Sequence, residues 1–239
     1  MMSPTSRRLV FAPALLALCA LVATPAGASS SSDKKAAKAG VIVAADVPSS
    51  WQSSPADSSS DKEIEKAAKK ISDCKEYLAV RKTLDKAPKA KSRDYATGDE
   101  SLSNEVWVFS SASKATKAFD GMSATSNEDC LTTLFQDQFE ALAARDPSVD
   151  TVDVRIVQTS DLPSVGDDIV GYAGGAEVTL TDGSVQRLPV SNAIVRVGRS
   201  ILSYTFSGGP TPSGSYSTAF LDVVDEALDT TVSRMEDAL

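Results

Sequence analysis

The stretch from Asn104 to Cys130, NEVWVFSSASKATKAFDGMSATSNEDC, decides the fold. Val106 and Val108 alternate with Trp107 and Phe109, an apolar run of strand length made of residues that suit a pleated surface. Ser110 and Ser111 end it. The period then changes, and Ala112, Ala115, Phe119 and Met122 recur at spacings of three and four, on one face of a helix. Such a face needs a sheet to bury against. Cys130 closes the stretch, and a partner for it, Cys74, lies on the other side of the strand.

The chain has 239 residues and a net charge of −8. Its first 28 residues read as a secretory signal: Arg7 and Arg8 are the positive region, Leu9 to Ala23 the apolar core, and Ala26-Gly27-Ala28 a small-residue cleavage site before Ser29. A competing reading makes Cys19 a lipidated residue in a Leu16-Ala17-Leu18-Cys19 box. Leu18 stands where that box needs a small residue, and the apolar run continues through Leu21 and Val22, so the secretory reading is preferred. Removing 28 of 239 residues leaves 211, enough for one domain with its own core. The removed part holds two of the 24 basic and none of the 32 acidic residues, which moves the balance to −10. A chain so acidic does not follow a phosphate backbone, and nucleic acid is not an expected partner. Two cysteines remain, and in an exported chain the expectation is a disulfide between Cys74 and Cys130.

Upstream of the opening stretch, Ser29 to Gly40 has no large apolar residue and reads as a flexible polar tether. A single domain is expected over residues 41–239. Val41 to Ala45 reads as a short strand, with Trp51 beyond it packing over a sheet edge. Ser60-Asp61-Lys62-Glu63 has capping-box spacing, and Ile64, Ala67, Ile71, Cys74 and Leu78 then recur at helical spacing. Lys66, Lys69 and Lys70 read as a solvated face. A frayed strand is expected around Arg93 to Thr97.

Downstream, Leu131, Leu134, Phe135 and Leu142 define a helix from about Asn127 to Arg145, stopped at Asp146-Pro147. Thr151 to Gln158 alternates as a half-buried strand. Ile169 to Tyr172, Ala176 to Thr181, Val185 to Val190, Ala193 to Val197 and Ile201 to Phe206 read as further strands, with hairpins at Asp182-Gly183 and Gly198-Arg199. Phe220, Val224, Ala227, Leu228 and Met235 give a closing helix. The expected fold is α+β: an antiparallel twisted sheet of about five to six strands, helices packed on one face, and one disulfide.

The sequence contains no histidine, which removes the commonest general base, the usual serine and cysteine dyads and most zinc sites. A non-enzymatic protein is expected. Gly174-Gly175 and Gly208-Gly209 lack the spacing and lysine of a phosphate loop and read as turns, so no cofactor is expected. Asp167-Asp168 are adjacent, and neighbouring strand residues point to opposite faces, so no metal is expected there.

Several motifs occur in order: Val47-Pro48 followed by Trp51, a helix bearing Cys74, Val106-Trp107-Val108-Phe109, the helix from Ser111 to Phe119, Cys130, Leu162-Pro163 with Gly166-Asp167, and Val195-Arg196-Val197-Gly198. Together they resemble the PknH-like extracellular sensor domain family of actinobacteria. The resemblance implies an α+β domain with a cleft between sheet and helices that binds an envelope ligand, in receptor kinases or in free lipoproteins and secreted proteins. These 239 residues include no kinase segment and one cysteine pair where the receptor form has two disulfides.

Two functions are open: a module binding a small molecule, lipid or glycan of the envelope, or a protein-interaction module serving an envelope complex with a membrane or cell-wall protein. The aromatic set Trp107, Tyr172, Tyr204 and Phe206 separates them, since a concave lining favours a ligand and a flat patch favours a protein. Alternation sends Arg196 to one face of its strand, and Tyr204 and Phe206 lie across the Gly198-Arg199 hairpin. An uncovered sheet face with a cation near aromatic rings would hold an acidic or sugar-like ligand. The plainer reading pairs Arg196 with a carboxylate such as Asp153.

Overall fold

The computed structural model describes residues 31–56, 59–160 and 162–239. The expected signal segment, its Ala28/Ser29 cleavage site and Cys19 lie outside the described residues. Val106 to Val108 belong to strand β4 (Glu100–Val108), which is buried on both faces. Val106 and Val108 enter one core, and Trp107 and Phe109 enter another. β8 (Ser200–Ser207) pairs antiparallel with β4 and repeats the pattern, with Leu202 opposite Val106 and Ile201 opposite Trp107.

Because these strands are apolar on both sides, both sides need cover. The sheet therefore has helices on both faces where one was expected. One face carries α1 (Ser31–Ala39) and α6 (Thr218–Ala238), whose Ala36, Ala37, Phe220, Val224 and Leu228 join Val106 and Leu202. The other carries α3 (Lys75–Leu84), α4 (Ala112–Met122) and α5 (Ser126–Ala143), which bring Leu84, Phe119, Leu131 and Phe135 onto Trp107 and Ile201. The α+β class and the antiparallel arrangement are as expected, but the sheet has eight strands rather than five to six. The short strands β1 (Gln52–Ser54), β2 (Lys89–Lys91) and β3 (Asp94–Thr97) carry no long apolar run. They extend one edge beyond β4, and β7 (Val185–Val197), β6 (Asp168–Leu180) and β5 (Val149–Thr159) extend the other beyond β8.

Local capping is as the residues dictate. Ser111 is the N-cap of α4, its hydroxyl accepting from the Lys114 amide, and Ser217 caps α6 in the same way. The disulfide joins Cys74 to Cys130 with Cα atoms 4.8 Å apart, inside a small core with Ile64, Ala68 and Leu134. The helix expected through Leu78 is interrupted. α2 (Ser59–Ala68) ends, Ile71 is extended, and a 3-10 turn at Ser72–Cys74 presents the cysteine.

Within the stretch expected to be a tether, Ser31–Ala39 form the packed helix α1. Small alanines let α1 lie close on the sheet, with Ala37 fully buried, and Arg199 donates to Asp33 at 2.8 Å. Residues 41–45 do not pair as a strand. The buried Asn104 side chain takes that role instead, accepting from the Ile42 amide and donating to the Gly40 carbonyl, both at 2.9 Å. Trp51 stacks on Phe220 of α6 at 5.6 Å. The strands expected on either side of Gly174-Gly175 are one strand, β6, and those on either side of Ser191-Asn192 are one strand, β7. Gly174-Gly175 is therefore mid-strand and not a turn. Asp182-Gly183 and Gly198-Arg199 are the expected hairpins, with both glycines at positive φ.

The long outer edge of β5 is closed by a helix. Thr132 of α5 both donates to the Ile156 carbonyl and accepts from its amide, at 3.4 and 3.1 Å. Gln136 bonds the Val152 carbonyl at 2.9 Å and the Val154 amide at 2.8 Å, and Glu128 accepts from the Gln158 amide at 2.8 Å. The fit is metrical: four helical residues rise about 6 Å, close to the roughly 6.6 Å of two strand residues. A polar stripe at i, i+4 and i+8 thus replaces a neighbouring strand and blocks edge-to-edge pairing.

Candidate functional site

Only part of the α1/α6 face is filled. Over β5, β6 and the adjoining part of β7, alternate positions on that face carry Arg155 and Val157, Gly171, Ala173 and Gly175, and Ser191 and Ala193, in register across the sheet. These side chains are too small or too polar to hold a helix. The result is a trough of about 730 Å³ between this floor and α6, lined by Leu162, Pro163, Ser191, Tyr216, Leu221 and Val224 among others. It runs into a second section of about 470 Å³ bordered by Arg155, Val157, Glu177, Arg187 and Ser213. Of the four large apolar side chains that are exposed among the described residues, two line this trough: Val157 at 37% and Leu221 at 41%.

The floor depends on its glycines. Gly174 and Gly175 have φ of 157° and 155°, and a Cβ at either would run into the carbonyl of Arg155 or of Leu188 on the neighbouring strands. The far wall is held by Tyr216, whose hydroxyl donates to the Phe206 carbonyl at 3.0 Å and pairs with the Ser191 hydroxyl at 3.2 Å. Its ring packs between Phe206 and Phe220. Burial pushes the Tyr216 phenol far above its ordinary pKa, so it stays protonated as a structural donor. Asp225, on the α6 rim, has its carboxyl pKa raised by burial and by the neighbouring Asp229 and Asp222.

The expected aromatic set lines no common surface. Trp107 is fully buried under α3–α5. Tyr204 is fully buried on the opposite face, its hydroxyl bonded to Thr231 of α6, and burial again pushes its phenol far up. Tyr172 points into the Trp107 core, with its hydroxyl donating to the Met122 carbonyl at 2.6 Å. Phe206 reaches the trough from the α6 core and is 6% exposed, and Tyr172, whose ring lies in the other core, also borders it.

Arg196 lies on the face opposite Tyr204 and Phe206, because Tyr204 pairs with Ala193, three residues from Arg196. It bonds Asp168 through Nε and Asp167 through Nη1 at 3.0 Å, and it also donates to the Gly198 carbonyl. Arg196 therefore pairs with carboxylates, as the plainer reading had it, but with Asp167 and Asp168 rather than Asp153. It fastens the entry of β6 to the β7–β8 hairpin. Arg196 is therefore not the cation beside Tyr204 and Phe206 that alternation along its strand suggested.

On the other face a smaller cavity of about 60 Å³ lies between the sheet and α3–α5, lined by Tyr77, Arg81, Asn127, Tyr172 and Asn192 among others. It is well below the roughly 300–1,000 Å³ of ligand pockets. Among the described residues no group of three or more carboxylate or cysteine side chains is placed to hold a metal ion, and no helix is long and apolar enough to cross a membrane. The residues missed from the sequence are Arg155, Ala173, Ser191, Leu221 and Asp225. The signal for the floor was available in Ala173 and Gly175, small residues at alternate positions of a strand.

No family model and no curated protein matches this chain. Among solved structures it is similar to the extracellular domain of PknH from Mycobacterium tuberculosis, with 9% identity over 67% of this chain and 75% of that one, at a TM-score of 0.30. It is also similar to the Ran-binding protein Mog1p of Saccharomyces cerevisiae, with 10% identity over 61% of this chain and 72% of that one, at a TM-score of 0.19.

Proposed function

We propose that the chain is a non-enzymatic binding module that works outside the cytoplasm and holds an elongated small molecule, lipid or glycan of the cell envelope in the α6 trough. The observation that carries this reading is the trough itself: a concavity of about 730 Å³ that leaves Val157 and Leu221 exposed. Its size falls in the range of small-molecule sites. The Cys74–Cys130 disulfide supports an oxidising compartment. The want of any histidine supports binding over acid–base chemistry. A protein partner would favour a flat apolar patch, whereas Val157 and Leu221 lie within a hollow.

The test is native mass spectrometry after incubation with an envelope extract, comparing the wild type with Ala173→Leu, which fills the floor from a half-exposed position. The expected result is a compound retained by the wild type and lost from the variant. A compound retained equally by both, or by neither, would remove the proposal.

A further inference from the structure

The two ends of the trough differ in chemistry. At the α6 end it is apolar, with Leu162, Pro163, Leu221, Val224 and Leu228 around it. The opposite end carries charge, with Asp153, Arg155, Glu177 and Arg187. Arg187 is already engaged: it holds Glu177 at 2.8 Å and the Pro212 carbonyl at 2.6 Å. Asp153 stands opposite Glu177, one step further from the floor. Arg155 differs from all of these. Its cross-strand neighbour is Gly175, which offers no side chain, and among the described residues the Arg155 side chain makes no hydrogen bond or ion pair. Its five donors stand unused beside an open stretch of floor.

We infer that the trough takes a single-chain anionic amphiphile, a long-chain fatty acid, with its carboxylate on Arg155 and its apolar chain running over Ala173 toward α6; this rests on the trough being the binding site. The orientation follows from charge. The α6 rim carries Asp225 with Asp222 and Asp229 beside it, and burial together with these two neighbours already disfavours the ionisation of Asp225. A carboxylate head is excluded from that end and accepted at the Arg155 end, where a guanidinium binds it in bidentate fashion. Ala173 and Gly175 leave the depth for a methylene chain to lie against the sheet.

The experiment is equilibrium binding of palmitate, hexadecanol and hexadecyltrimethylammonium, each below its aggregation threshold, to the wild type, Arg155→Gln and Ala173→Leu. Thermal melts confirm that both variants are folded. Palmitate should bind the wild type, about tenfold more weakly to Arg155→Gln, the loss expected of one charge-assisted contact, and not measurably to Ala173→Leu. Hexadecanol should bind the wild type about tenfold more weakly than palmitate. Equal binding of all three compounds, abolished by Ala173→Leu, would keep the trough and overturn the anionic head. Palmitate binding that survives Ala173→Leu would overturn both. Binding to phosphatidylglycerol vesicles without binding of monomeric palmitate would overturn the inference by making this face a membrane surface. No binding of palmitate in any form would overturn it too, leaving the trough to the extract experiment.

Discussion

The two halves of the α1/α6 face follow one alternation and end in opposite states. β4 and β8 send Leu102, Val106, Leu202, Tyr204 and Phe206 to that face, and all five are buried under α1 and α6. β5, β6 and β7 send Arg155, Val157, Ala173, Gly175 and Ser191 to the same face, and there the sheet lies open. Burying a large apolar side chain contributes about 1.5–3 kcal/mol, whereas glycine and alanine contribute little. A helix can be held over the first set and not over the second. The open half survives because its other face is packed on α5 and its edge is closed by α5 side chains. What makes a face available for binding is therefore side-chain size at alternate positions, not a break in the sheet.

This contrast can be broken from both sides. The largest effect should come from Cys74→Ser, which frees the anchor of α5. A closed loop of 56 positions corresponds to about 4 kcal/mol in the chain-entropy account, read as a fall in melting temperature of roughly 10 °C. In the covered half, Leu202→Ala should cost about 3 kcal/mol in denaturant unfolding, the usual loss for a fully buried leucine.

At the edge, Gln136→Leu removes the partners of the Val152 carbonyl and the Val154 amide. It should cost about 2 kcal/mol and raise the tendency to self-associate, checked by light scattering. Asp225→Asn acts in the opposite direction. A carboxyl whose folded pKa is raised favours the protonated form, so its contribution is present at acid pH and lost as pH rises through the folded value. The variant should melt about 1 °C higher at neutral pH, the size of a relieved like-charge pair on a helix, and unchanged at acid pH. The smallest effect belongs to Ala173→Leu, which adds a large side chain to the open half and should change stability by less than about 0.5 kcal/mol.

Much of the fold was legible in the residues. Ser111, the Ala115–Phe119 spacing, Asp182-Gly183 and Gly198-Arg199 each act through local geometry, and each marks the element expected of it. The misreadings share a cause. α1 was read as a tether because alanines carry little apolar area, yet their smallness is what lets Ala36 and Ala37 sit on the sheet. β6 was split because Gly174-Gly175 is a turn signal unless neighbouring strands use it for close approach. Arg196 was given an aromatic face because alternation within one strand does not say which face the next strand shares, whereas the register with β8 does. The trough is a tertiary feature, formed where α6 passes beside an uncovered floor, and no single segment announces it.

The most direct test of the central claim is a backbone amide chemical-shift titration of the whole domain with the compound retained from envelope extract. The account predicts perturbations at Ala173, Ser191 and Leu221, around the open half of the sheet. Perturbations confined to Tyr77, Val80 and Met122, around the small cavity on the opposite face, would contradict it.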